Sequence, residues 1–239
     1  MFWLWCIAAF AAFYIKGLCG FANTLVFTSI LGFGVDNVLI SPVDLVLGYP
    51  TNLIMTWQYR KHLKIAIWVP LALMVLAGSI PGAILLKSVD ARMIKIVFGA
   101  AVALIAMEMY GREMGAWEGS DSKVVRIGIG LLSGLLCGLF GVGALLAAYL
   151  GRVTERMDEF KANISAVFVV ENTFRLVTYG MLGVITIGSL RQTLLLIPVA
   201  LCGLFAGIYS SKKLDERLIK RSVIVLLMIS GVVLVVTNL

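Results

Sequence analysis

Of the 20 Lys and Arg in this chain, all but Lys16 and Arg175 reach a predicted loop. A charged side chain at membrane depth is costly unless it faces a cavity or a partner. Lys16 immediately precedes a glycine cluster, GLCGFANT at 17–24, and a similar cluster, GLFGVGA, recurs at 138–144. Glycines let a backbone approach a ligand with no Cβ in the way. A half-helix starting after each break, near Asn23-Thr24 and near Gly143-Ala144, would present free N–H groups and the positive end of its dipole. That combination binds anions. The candidate anion-binding set is therefore Lys16, Gly17, Gly20, Asn23, Thr24, Asn52, Gly138, Gly141, Gly143, Asn172 and Arg175. Glu171, one turn before Arg175, is the candidate proton carrier, because burial moves a carboxylate toward neutrality.

Each of these residues also has a structural reading. Glycines in apolar helices often serve close helix packing. Arg175 and Glu171 are spaced to form an i,i+4 ion pair. Asn52 and Asn172 could bridge helices, and Asn23 and Thr24 could cap one. Metal and cofactor chemistry finds no footing. The one histidine, His62, lies in a basic loop, and Cys6, Cys19, Cys137 and Cys202 are scattered through apolar segments without CxxC spacing. No H-E-x-x-H, Walker A or nucleic-acid motif is present, so neither an enzyme nor a nucleic-acid partner is expected.

The elements that must position these residues are apolar throughout. The chain is 61% hydrophobic and 14% charged, with mean hydropathy +1.01. A soluble domain carries nearly twice that charged fraction. Runs long enough to span a bilayer recur, most clearly at 65–86, 192–211 and 218–239. The net charge of +7 is then an orientation signal.

The sequence also repeats itself. GLCG at 17–20 falls on GLFG at 138–141, and Ala22 falls on Gly143. TNLIMTWQY at 51–59 falls on ENTFRLVTY at 171–179, which superposes Asn52 on Asn172 and Tyr59 on Tyr179. GAILLKSVDARMIK at 82–95 falls on GIYSSKKLDERLIK at 207–220. Three collinear matches define two repeats, 1–112 and 123–239, joined by a polar loop at 113–122. Predicted spans are 43–59, 65–86 and 93–110 in the first repeat, and 163–179, 192–211 and 218–238 in the second. The glycine segments, 2–34 and 124–150, either cross once as broken helices or fold back as re-entrant hairpins. With hairpins, 14 loop cations gather on one side and only Lys87, Arg92, Lys95 and Arg191 on the other. That bias favours hairpins. The expected fold is an all-α polytopic membrane protein of two inverted repeats, each a glycine-broken re-entrant hairpin plus three transmembrane helices. It places the chain as a multi-pass protein of the cell membrane with both termini outside.

A glycine break opening each half, an Asn-bearing span after it and a duplicated layout of this length resemble the sulfite-exporter, TauE/SafE-like permease family. The hallmark of that family is a G-x-x-G-x-G-G-G-like segment at each repeat start. Here the copies read GLCGFANT and GLFGVGALL, with the glycine triplet shortened in both. The resemblance implies a permease for a small sulfur-containing or organic anion such as sulfite or sulfoacetate. The partners expected are that anion, the bilayer, a coupling ion (H+ or Na+) and a second copy in a homo-oligomer. The expected activity is secondary transport by alternating access between the repeats. A passive anion channel, or a membrane subunit of a larger complex, would use the same site.

Overall fold

The computed structural model describes residues 2–31, 37–85, 96, 99–100, 103–104, 106–107, 110–111 and 144–236. Regular structure among the described residues is helical. The first half contains α1 (Phe2–Cys19), α2 (Asn23–Leu31), α3 (Asn37–Gln58), a 3-10 turn (Arg60–His62) and α4 (Ile65–Leu85). The second contains α5 (Ala144–Val153), α6 (Met157–Met181), α7 (Ile187–Lys213) and α8 (Glu216–Val236). The described residues between 96 and 111 are helical as well.

Helix α1 shows how the chain sorts its surfaces. Trp5, Ala8, Ala9, Ala12, Phe13 and Lys16 recur at helical spacing and are buried, whereas Trp3 and Ile7 on the other face are exposed. An exposed face of Trp, Ile and Phe suits lipid and not water. Both α1 and α7 are long and apolar enough to cross a membrane. Near the end of α3 the Arg60 guanidinium lies 4.3 Å from the Trp57 ring, an aromatic–cation pair of the kind that anchors a helix at a membrane interface.

The chain reverses between α1 and α2. Gly20 has φ +92° and Ala22 φ +72°, and the Gly20 N–H closes the last turn on Lys16 O at 2.6 Å. A residue in the left-handed region stops a helix, and glycine takes it without penalty. The Phe27 ring of α2 then packs edge-on against Trp5, in the first turn of α1, with centroids 5.8 Å apart. Continued in one direction, those residues would stand about 33 Å apart.

The reversal differs from the expected hairpin in one respect. A tip at Lys16, where the glycine cluster opens, does not form: Lys16 and Gly17 lie in the last turn of an unbroken helix of 18 residues. Such a helix is about 27 Å long, close to the thickness of a bilayer core. The break falls three residues later because Gly17 is held in the helix by its neighbour. A Cβ on Gly17 would collide with the backbone of Leu204 and Ile208 on α7. Gly203 and Gly207 of α7 meet the backbone of Phe10 and Tyr14 in return. This stripe of small residues brings α1 and α7 into backbone contact.

The second correction concerns α6. It begins at Met157, six residues before the predicted span, so Lys161 is not a loop cation. Lys161 is 1% exposed, with its ammonium 5.4 Å from the Tyr59 ring and its Cγ beneath Gly20. Asp158, half-buried, and the buried Glu159 of the first turn draw in His62 at 3.9 Å and Lys64 at 2.7 Å. Loop 113–122 and the glycines Gly138, Gly141 and Gly143 lie outside the described residues.

Candidate functional site

The break between α1 and α2, together with α3 and α6, lines a cavity of about 30 Å³. Space of that size takes about two waters or a compact ion. Its wall comprises Phe21–Leu25 from the break, Asp44, Leu45, Gly48 and Asn52 from α3, and Phe168, Glu171, Asn172 and Arg175 from α6. The repeat-matched asparagines, Asn52 and Asn172, thus meet at one cavity. Gly48 makes room for the polar groups to converge: a Cβ there would lie 3.4 Å from Asn172 Nδ2 and 3.8 Å from Asn23 Nδ2.

Asp44, which the sequence reading passed over, organises one side. It is buried, and its carboxylate accepts from Asn23 Nδ2 at 3.0 Å and from Thr24 Oγ1 at 2.6 Å. The side chains expected to greet a ligand at the start of α2 therefore hold a carboxylate of the protein itself. Asp44 also lies within electrostatic reach of both Lys16 and Arg175. The signal was available, because Asp44 is the only charged residue in 37–58 and interrupts an apolar span. The rule that singled out Lys16 and Arg175 applies equally to a carboxylate.

The two deep cations differ in how they meet the cavity. Lys16 is 1% exposed, its ammonium 3.4 Å from Gly48 O and 5.6 Å from the Phe13 ring centroid. It touches the cavity wall through that carbonyl. Arg175 lines the cavity directly. Its Nη2 donates to Tyr179 Oη at 3.0 Å and to Ser41 Oγ at 3.5 Å, and its Nε stands 3.6 Å from Glu171 Oε1. The i,i+4 pairing expected from sequence is therefore present beside the cavity. Tyr179 and Tyr59, superposed by the internal repeat, each lie under a cation: Arg175 at 5.1 Å and Lys161 at 5.4 Å.

Of the predicted residues, the structure gathers Asn23, Thr24, Asn52, Glu171, Asn172 and Arg175 on the cavity wall, with Lys16 behind Gly48. Gly20 shapes the turn that forms the wall, and Gly17 faces α7.

Helices with an apolar exterior, a chain reversal near the start and buried opposing charges around a small cavity are what a helical membrane permease needs. The family model described as "Sulfite exporter TauE/SafE" matches residues 5–234, and the chain belongs to that family. It is thus a membrane transport protein, as the sequence resemblance implied. No curated protein and no solved structure matches the chain significantly.

Proposed function

We propose that the protein is a secondary transporter of a small sulfur-containing oxyanion, which it carries through the cavity between the α1–α2 break, α3 and α6. The observation that carries this reading is the convergence of Arg175 and two repeat-matched asparagines on one cavity, with Lys16 held behind its Gly48 wall. Arg supplies a planar fork of donors suited to an oxyanion. The asparagine amides add neutral hydrogen bonds, and the first turn of α2 adds its dipole. The cavity favours a compact guest such as sulfite over a longer one such as sulfoacetate. Two inverted repeats, 1–112 and 123–239, alternately expose the site, with both termini outside and the cation-rich loops in the cytoplasm. The reversal at Gly20–Ala22 supports the hairpin on which that topology depends. Glu171, ion-paired to Arg175, is the group that links transport to protons.

The test is sulfite flux into proteoliposomes. Wild-type protein gives saturable uptake. Lys16→Met lowers the rate at least about tenfold, the cost of losing a charged partner at a buried site, and keeps the monodisperse elution profile of folded protein. Unchanged flux in Lys16→Met and in Arg175→Lys together would remove the site from the transport path.

A further inference from the structure

Among the described residues, two buried oxygens of the cavity wall have no hydrogen-bond donor: Asn52 Oδ1 and Glu171 Oε1. Both side chains are almost wholly enclosed, at 2% and 1% exposure. Arg175 Nε stands 3.6 Å from Glu171 Oε1, which pairs the charges but is too long for a hydrogen bond. An unmet buried acceptor costs about 1–3 kcal/mol, so such atoms mark where a partner belongs.

Several donors nearby are already engaged. Asn23 and Thr24 serve Asp44, Arg175 Nη2 serves Tyr179 and Ser41, and Lys16 serves Gly48 O. None of these donors reaches Asn52 Oδ1 or Glu171 Oε1 within hydrogen-bond distance. An oxyanion stripped of every proton brings acceptors only and leaves both oxygens unmet.

Charge balance points the same way. Lys16 and Arg175 offset Asp44 and Glu171 when all four are ionised. A dianion would add two uncompensated charges to an enclosed site, and a protonated monoanion adds one, next to the positive end of α2. Glu171 is faced by Arg175 on its own helix and by Asp44 from α3, and Lys16 of α1 acts on Asp44. Neither α2 nor α4 carries a titratable side chain, and those of α5 are Tyr149 and Arg152 in its second half. The charges of the 3-10 turn, Lys64 and Glu216 of α8 meet the first turn of α6, about 20 Å along the helix from Glu171.

We propose that the site selects the singly protonated form of its oxyanion, whose proton is donated to Glu171 Oε1 or Asn52 Oδ1 while its bare oxygens face Arg175. This rests on the oxyanion reading above and assigns the protonation state of the guest. Hydrogensulfite meets the requirement; sulfate at neutral pH does not.

The experiment is calorimetric titration of the full chain, purified in detergent, with sulfite, sulfate and methanesulfonate over the pH range in which hydrogensulfite gives up its proton. Methanesulfonate is a compact monoanion that cannot donate. The expected result is a sulfite affinity that falls about tenfold per pH unit above that transition, and methanesulfonate bound at least about tenfold more weakly than hydrogensulfite at every pH. Asn52→Ala should narrow the gap between those two ligands. Because the ligand comparison uses the unmodified protein, it decides the matter whether or not that variant folds. Sulfate or methanesulfonate binding as tightly as hydrogensulfite, a flat sulfite profile, or the same pH slope for methanesulfonate would overturn the protonated-guest proposal and leave the oxyanion reading standing. Folded protein that binds none of the three at any pH would overturn the oxyanion reading itself.

Discussion

Gly17 and Gly20 stand three residues apart at the end of one helix and serve opposite ends. Gly17, with Gly203 and Gly207, removes side chains so that two helix backbones touch. Gly20 supplies a backbone angle, φ +92°, that turns the chain back toward the cavity. The first use is a matter of volume and the second of torsion. A sequence prints the same letter for both, and only the neighbours separate them. Substitutions that add volume or forbid an angle therefore fall differently on the two places.

The largest effect is expected at the α1–α7 contact. Gly207→Leu places a branched side chain against the Tyr14 and Leu18 backbone, which no rotamer change can relieve. Overpacking of this kind costs about 3 kcal/mol or more. Detergent-solubilised Gly207→Leu should give no monodisperse peak on size exclusion. A normal peak and melting temperature would show that α1 and α7 do not touch through their glycines. Gly20→Ala should act less strongly and in another way. It costs about 2 kcal/mol for a left-handed residue with a Cβ, and Lys161 Cγ at 2.9 Å must yield. The protein should fold with a lowered thermal midpoint and reduced sulfite flux; an unchanged midpoint would argue against the turn. The smallest effect has the opposite sign. Ala22 already carries a Cβ at φ +72°. Ala22→Gly should stabilise by up to about 1 kcal/mol, which a thermal melt in detergent would read, and a fall in stability would mean that the Ala22 side chain packs better than its backbone suffers. That variant also gives position 22 the residue found at Gly143, its counterpart in the second repeat.

Much of the site was legible because buried charge is rare. Lys16, Arg175 and Glu171 stood out against apolar surroundings, and the repeat pointed to Asn52 and Asn172 before any coordinates did. Asp44 stayed hidden because only the deep cations were set apart from the loops, and Glu171 stood out as the neighbour of Arg175. Lys161 was misplaced because residues 157–162 read as a polar loop, whereas Asp158 and Glu159 there favourably occupy the start of a helix dipole. The role of Gly17 was invisible in principle: its partner, α7, is some 190 positions away in the chain, and local patterning carries nothing about contacts at that separation. The helical character and membrane location followed from composition and periodicity, which are local properties.

The two hydrogen bonds from Asn23 and Thr24 to Asp44 fasten the short α2 to α3, while glycine contacts clasp α1 to α7. Consecutive helices are thus moored to different partners, with only Gly20, Phe21 and Ala22 between them. Phe21 and Ala22 of that three-residue joint are also cavity wall, so the shape of the cavity follows the angle between the two helix pairs.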